Sequence, residues 1–240
     1  VSRIGRYLDG KVSLSNFVNA KVRGIRALFL DEGDELLSCD LIQEGDEVML
    51  ITKLGRGLRF RQEDVRAMGR ASRGVRGIRL LGDDQVAGLL KVDNSKRILM
   101  ITENGQGKQV TFDSFTVHGR GTQGQKIYRL GGKASFIVGV LSVDDDNDVV
   151  CVTLMGQTLR VHVNAISIQG RNAAGVKVVT MKFKGDSIVA IASTERDEEE
   201  EVEIPEQPAP ESEEIIEDEG EDEDIPVEDD ELVTEPSDND

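Results

Sequence analysis

The sequence predicts an all-β domain of the propeller class, built from four units of about 50 residues each. A Ser/Thr-x-x-Gly turn recurs at this spacing, beginning at Ser2, Thr52, Thr102 and Thr153. A later glycine and a large apolar residue keep the same register, at Gly24, Gly74, Gly124 and Gly175 and at Phe17, Val65, Phe115 and Ile166. Because no part of residues 1–194 sustains a 3.6-residue apolar period, little helix is expected.

Each unit is predicted to hold about four short strands, the number in a propeller blade. The strand before the turn is apolar on both faces, at 48–51, 98–101 and 149–152, and is therefore expected to be buried on both sides. The strand after the turn alternates, so that Leu58 is expected to face inward and Arg59 and Arg61 outward. A third strand starts near the later glycine, and a last one, rich in Val, Ile and Leu, covers 86–92, 136–141 and 188–192.

The charges are segregated along the chain, which predicts two regions. Residues 195–240 hold 25 of the 46 acids, one of the 29 bases and all five prolines, a net charge of -24, while residues 1–194 carry +7. A segment of that composition cannot bury enough apolar surface to offset its chain entropy. We therefore expect a basic folded domain over 1–194 and an acidic, disordered tail over 195–240.

Other features argue against a membrane, a metal site or an active site. Cys39 and Cys151 have apolar surroundings and no Cys or His at ligand spacing, which predicts reduced core residues of a cytoplasmic protein. No apolar run approaches the roughly 18 residues that span a bilayer. His118 and His162 belong to no triad or ligand set and are expected at the surface. The acidic run 144–148 lacks the glycine and glutamate of a calcium loop, so an interstrand turn is expected.

Basic residues recur in the same register, in and after a Gly-Arg-x-x-x-Gly motif at 69–74, 119–124 and 170–175, with a degenerate copy at 19–24. The first row of cations is Arg70, Arg120 and Arg171. The second row is Arg76, Lys126 and Lys177, with Arg26 in the first unit. The third row is Lys11, Arg59 and Arg160. Its alignment assumes a two-residue insertion in the first turn, and Gln109 interrupts it in the third unit. Arg61 and Arg73 are further candidates.

Such rows predict a phosphate-binding rim, because regularly spaced cations contact successive phosphates without reading bases. The alternative is that these residues only keep a propeller in solution and pair with nearby acids. Solvated charge has no reason to hold a 50-residue register, so the rim is the favoured interpretation.

The copy at 69–80 and its companion Ser13-Leu14-Ser15-Asn16-Phe17 resemble the C-terminal domain of the DNA gyrase A protein, of the type II topoisomerase β-pinwheel family. The resemblance covers 1–194, and some members share an acidic tail. It implies blades that exchange strands and duplex DNA bent around a basic rim, so that the enzyme introduces negative supercoils.

Two departures from the family pattern concern the first blade. The family's signature box, Gln-Arg-Arg-Gly-Gly-Lys-Gly, belongs to that blade, and nothing in this sequence matches it. The family also usually has more blades than the four units counted here. The simplest interpretation is that the chain lacks the first blade.

We therefore expect an accessory domain that binds and wraps duplex DNA, with a tail that modulates wrapping, and no enzymatic activity by itself. The resemblance implies partners in the N-terminal domains of the same polypeptide and in the separate ATPase protein of the holoenzyme, gyrase B, within the bacterial cytoplasm and associated with the nucleoid. It implies ATP and Mg²⁺ for the complete enzyme but no cofactor in this chain. Two alternatives stay open: a topoisomerase IV domain that selects DNA geometry, and a protein-binding propeller scaffold.

Overall fold

The computed structural model describes residues 7–20, 22–33, 35–70, 72–131 and 135–195, and these residues form β-strands, 3-10 turns and loops without an α-helix. The predicted tail lies outside the described residues, apart from Glu195. The strands are, in chain order, β1 (Tyr7–Asp9), β2 (Lys11–Val12), β3 (Glu47–Thr52), β4 (Arg56–Arg61), β5 (Ala67–Met68), β6 (Val75–Ile78), β7 (Val86–Lys91), β8 (Arg97–Thr102), β9 (Gln106–Thr111), β10 (Gln125–Lys126), β11 (Ile137–Val143), β12 (Asn147–Thr153), β13 (Thr158–His162), β14 (Val176–Lys177) and β15 (Ile188–Glu195). The 3-10 turns are Leu14–Phe17, Gln62–Asp64, Phe112–Ser114 and Val163–Ala165.

The second, third and fourth units each form an antiparallel sheet around the apolar strand that the sequence predicted. β3 lies between β4 and β7, β8 between β9 and β11, and β12 between β13 and β15. The Ser/Thr-x-x-Gly turn connects the first two strands of each sheet. The all-β prediction is confirmed.

Successive sheets pack face to face, which is why their central strands are apolar on both faces. In β3, Met49 and Ile51 pack with Ile98 and Met100 of β8, while Val48 and Leu50 face the other way. In β8, the alternate residues Leu99 and Ile101 pack against the fourth unit. Fully burying one such side chain contributes about 1.5–3 kcal/mol, so these junctions hold the core together.

Neighbouring units exchange strands, as the resemblance implied. The outermost strand of the second unit's sheet is β10, which comes from the third unit and pairs with β4. The outermost strand of the third unit's sheet is β14, which comes from the fourth unit and pairs with β9. β6 of the second unit pairs in the same way with β1 of the first.

The first and last units are less complete than the two between them. The fourth sheet has three strands, and no exchanged strand pairs with β13 within the described ranges. Among its described residues the first unit contributes the strands β1 and β2, and residues 22–33 and 35–46 form no strand. Cys39 lies in that strandless part and is exposed, so its assignment to the core is wrong, while Cys151 is buried as predicted. Both thiols are free.

One hydrogen bond recurs at the junctions between units, from a side chain of one unit to the carbonyl that opens the next unit's 3-10 turn. Lys11 Nζ donates to Gln62 O at 3.3 Å, and Arg59 Nη1 donates to Phe112 O at 2.8 Å. Gln109 Nε2 donates to Val163 O at 2.8 Å and also to Ile166 O at 2.6 Å. The same three donor residues form parallel bridges to the next unit, to Ala67, Val117 and Ile168 respectively.

Two members of the third predicted row, Lys11 and Arg59, are therefore junction donors. Arg59 is only 9% exposed, so the prediction that it faces outward is wrong. Gln109 is uncharged and so interrupts the row of cations, but it makes the same contact as Lys11 and Arg59. The residue twelve positions before the donor differs with the donor's chemistry. The acid Glu47 forms an ion pair with Arg59 at 2.6 Å, whereas Arg97 donates a hydrogen bond to the neutral Gln109 Oε1 at 2.7 Å.

Replacing the junction donor in the third unit should destabilise the fold. Gln109→Met keeps the side chain's length but removes both of its bonds, so that the carbonyl of Ile166 loses its side-chain donor and that of Val163 keeps only the Ile166 N–H. We expect a loss of about 1–3 kcal/mol in the free energy of unfolding. Urea denaturation measures it, with Gln43→Met, at an exposed position, as the control. Equal stability of the two variants would show that the junction bond contributes nothing.

Within the described ranges, no helix is long and apolar enough to cross a membrane.

Candidate nucleic-acid interface

The second row of cations lies on the outermost strands of successive sheets. Arg76 is on β6, Lys126 on β10 and Lys177 on β14, and all three side chains are exposed. They also share one register position: Arg76 is opposite Leu8, Lys126 is opposite Arg56 and Lys177 is opposite Gln106. No acid of the described part of the chain forms an ion pair with them. The predicted repetition in sequence is thus a repetition in structure.

Local sequence explains why Lys126 points outward. The next residue, Ile127, is buried against the neighbouring sheet. Because adjacent side chains of an extended chain point to opposite sides, burial of Ile127 turns Lys126 toward solvent. Arg26, the corresponding residue of the first unit, is exposed outside any strand, and its guanidinium lies 4.7 Å from the ring centre of Phe29.

The first row reaches back from one unit to the outer strand of the preceding unit. Arg120 donates to Arg76 O at 2.5 Å and to Asp64 O at 3.0 Å. Arg171 donates to the side-chain oxygen of Gln125, the residue before Lys126. Both arginines are half-buried, whereas Arg70 is exposed. The structure therefore attaches Arg120 and Arg171 to the outer strands that carry the second row.

The remaining predicted cations do not join this pair of rows. Lys11 and Arg59 lie at the junctions described above. Arg160 is ion-paired with the buried Asp148 at 2.6 Å and also reaches Glu195 O. Arg73 pairs with Asp31 at 3.3 Å in an exposed contact of little energetic weight. Arg61 is exposed at the end of β4, away from the outer strand.

Two cations that the sequence pattern did not single out hold the motif loops in place. Arg56 donates from Nε to Gln123 O at 2.8 Å and from Nη2 to Gly124 O at 2.9 Å. Lys108, fully buried, donates to three carbonyls of loop 170–175. The only sign of Lys108 in the sequence was that a lysine replaces an apolar residue, since the equivalent positions of the second and fourth units are Leu58 and Leu159.

The second glycine of each motif is required by backbone geometry. Gly124 and Gly175 have φ of 66° and 82°, in the left-handed region. A Cβ at Gly175 would lie 2.8 Å from Gly107 O, and one at Gly124 would clash with Gly57 O. The first glycines, at 69, 119 and 170, have no positive φ and open space around them. The loops are thus held close against the preceding unit's second strand.

The described residues contain no group of three or more His, Cys, Asp or Glu side chains that could hold a metal ion. The acidic run at 144–148 is an interstrand turn, in which Asp144 accepts from the backbone N–H of Asp146. His118 and His162 are both exposed, and His162 contacts Asp148 at 2.6 Å.

Burial lowers the pKa of the Lys108 ammonium to about 8 and raises the pKa of the neighbouring Tyr128 phenol to about 12. The Tyr128 ring lies 4.9 Å from the ammonium.

The lowered pKa of Lys108 predicts a pH-dependent stability. Between about pH 8 and the ordinary lysine value near 10.4, the unfolded chain binds more protons than the folded one, so this group's contribution to stability rises with pH. Lys108→Leu, with the residue found at the equivalent positions, removes that contribution. Urea denaturation of both proteins at about pH 7.5, 8.5 and 9.5 should show the difference moving in favour of the native protein as pH rises. Tyr128 is common to both and cancels, so a constant difference would contradict the assignment.

Comparison with known proteins places these features in a family. Residues 46–93, 96–144 and 147–195 each match the family described as DNA gyrase C-terminal domain, beta-propeller. The DNA gyrase A protein of Treponema pallidum is 60% identical over 182 residues, which cover 76% of this chain and 22% of that relative. The DNA gyrase A protein of Chlamydia pneumoniae is 35% identical over 194 residues, 79% of this chain and 23% of that relative.

Two solved structures are also similar. One is a structure of the DNA gyrase A C-terminal domain, with a TM-score of 0.64 and 27% identity, covering 71% of this chain and 58% of that one. The other is a crystal structure of the C-terminal domain of DNA topoisomerase IV, with a TM-score of 0.74 and 21% identity, covering 81% of this chain and 60% of that one. At that identity the second comparison supports the fold alone. The chain spans less than a quarter of the length of the curated relatives described above.

Proposed function

The chain belongs to the DNA gyrase C-terminal domain family, and we propose that it binds duplex DNA non-specifically and bends it along the two adjoining rows of cations. The observation that carries the proposal is the shared register of Arg76, Lys126 and Lys177 on three successive outer strands. Cations repeated at one structural position suit a ligand whose own charges repeat, and the DNA backbone is such a ligand.

Bending is the second part of the proposal. Bending 20–30 bp of DNA by 40–90° costs of order 1–6 kcal/mol, which several phosphate contacts together offset. The first row strengthens the argument, since Arg120 and Arg171 stand beside the outer strands and add cations to the second row. We assign this DNA-binding role to residues 1–194, with 195–240 as the acidic tail.

Within the whole protein, we propose that the chain is an accessory domain that supports negative supercoiling. DNA cleavage and ATP hydrolysis would then belong to the N-terminal domains of the same polypeptide and to gyrase B, in the bacterial cytoplasm. A topoisomerase IV domain would bind DNA through the same rows without wrapping it. Religation of nicked circles with the domain bound separates the two, because only wrapping changes the linking number.

Removing the second row should weaken DNA binding and its dependence on salt. Each phosphate contact contributes roughly 0.9 to the slope of log affinity against log salt, so replacing Arg76, Lys126 and Lys177 by Ala should lower the slope by about 2–3. Titration of a fluorescent duplex at several salt concentrations measures the affinity and the slope.

The matched control removes three cations away from the outer strands, Lys53, Lys91 and Lys96. It changes the net charge equally and should leave the slope nearly unchanged. If both triple variants lose the same affinity, overall charge and not the row drives binding. A protein-binding scaffold would show almost no salt slope in any version of the chain.

We further propose that the acidic tail competes with DNA for the rows. The tail's charge of -24 exceeds the +7 of the rest of the chain, and covalent linkage gives it a high effective concentration. Truncation after Glu195 should therefore tighten DNA binding about 5–10-fold at low salt, and less at high salt, where charges are screened. A tail of equal length with its acids changed to Asn and Gln serves as the control. Unchanged affinity on truncation would reject competition.

A further inference from the structure

Loop 170–175 turns three of its carbonyl groups inward onto a single buried cation. Lys108 Nζ donates to Gly170 O at 2.9 Å, to Arg171 O at 2.7 Å and to Ala173 O at 3.0 Å. The Lys108 side chain is 0% exposed, so its ammonium makes these bonds in place of bonds to water. In the preceding motif loop, by contrast, Arg56 binds two carbonyls, those of Gln123 and Gly124.

The opposite side of the same peptide groups carries free donors. A trans peptide unit holds its N–H on the side away from its carbonyl, and the described chain has no cis peptide bond. The N–H groups of Arg171, Asn172 and Ala174 therefore point away from Lys108, on a loop whose Gly170 and Asn172 are exposed.

Hydrogen bonding within the loop leaves these three amides available. The Ala173 N–H donates to Gly170 O at 3.1 Å, and the Gly175 N–H donates to Gln169 Oε1 at 3.2 Å. No acceptor among the described residues takes a bond from the N–H of Arg171, Asn172 or Ala174. The loop thus has three carbonyl groups that accept hydrogen bonds from Lys108 on its inner side and, on its outer side, three N–H groups that lack an acceptor within the described chain.

We propose that the amide face of loop 170–175 binds one phosphate group of a nucleic-acid backbone, and that Lys108 is the positioning residue that holds this face outward. Successive unpaired backbone N–H groups form anion-binding sites. The half-buried guanidinium of Arg171, itself a loop residue, and the exposed Lys177, two residues after the loop, add positive charge. The proposal rests on the DNA binding proposed above and adds a contact that no side-chain charge supplies.

The charged and titratable groups around the ammonium favour an anion on the loop. Arg171 belongs to the loop itself, Lys177 follows it on β14, and Tyr128 covers the ammonium from the third unit. Arg129 is also adjacent, because its backbone N–H donates to Ala173 O at 3.1 Å. Among the described residues, Arg171 forms no ion pair with an acid, so its charge remains available to a ligand.

The direct test follows backbone amides by NMR in the ¹⁵N-labelled 240-residue chain as inorganic phosphate is added. The signals of Arg171, Asn172 and Ala174 should move together and saturably, and more than those of the exposed loop 22–33. In Lys108→Leu, which leaves every exposed cation in place, the coordinated movement should be lost. Absence of movement in the native chain overturns the proposal, whatever the stability of the variant.

A pair of substitutions tests one donor in DNA binding. Asn172→Pro removes a single N–H without changing charge, whereas Asn172→Ala keeps it. The Pro variant should bind a short duplex about tenfold more weakly, and the Ala variant should remain within about twofold of the native chain. Equal affinity of both variants, with the steep salt slope intact, overturns the amide site but leaves the proposed function standing. Loss of all duplex binding by the native chain would instead overturn the proposed function.

Discussion

The arrangement of the fold depends on one hydrogen bond repeated at the junctions between units. A side chain at the position of Lys11, Arg59 and Gln109 donates to the carbonyl that opens the next unit's 3-10 turn. The contact accepts an ammonium, a guanidinium or an amide, because only one donor N–H has to reach the carbonyl. Since the same kind of contact recurs, the junctions between units are alike. The outer strands β10 and β14 accordingly present Lys126 and Lys177 at one register position.

Sequence periodicity was sufficient to predict the fold and the repeated position of Arg76, Lys126 and Lys177, because both depend on features that the second, third and fourth units share. The same reasoning failed for Arg59: a cation that recurs in register can serve a buried carbonyl as readily as a phosphate. Which of the two it serves depends on the neighbouring unit, which the pattern within one strand does not reveal. Gln109 carried the missing information, since an amide can replace a cation as a hydrogen-bond donor but not as a counter-charge.

Lys108 was missed and Cys39 was wrongly assigned to the core for different reasons. Lys108 occurs once, at a position that is leucine elsewhere, and a search for repetition passes over a residue that breaks it. Its role appears only when the loop of the next unit is in place to supply three carbonyls. Cys39 has apolar neighbours in sequence, as a core residue would, but the segment around it forms no strand. A side chain is buried only when another element packs against its segment, and the local sequence does not reveal whether such a neighbouring element exists.

Strand exchange also has a consequence for how the chain folds during synthesis. The sheet of the second unit is completed by β10, whose residues pair with partners almost 70 positions earlier in the chain. Contacts of such sequence separation form slowly, because a long loop has to close first. On the ribosome, each sheet would wait with an open edge until most of the next unit had emerged. Maturation would therefore proceed from the N-terminal side, with every newly translated unit sealing the one before it.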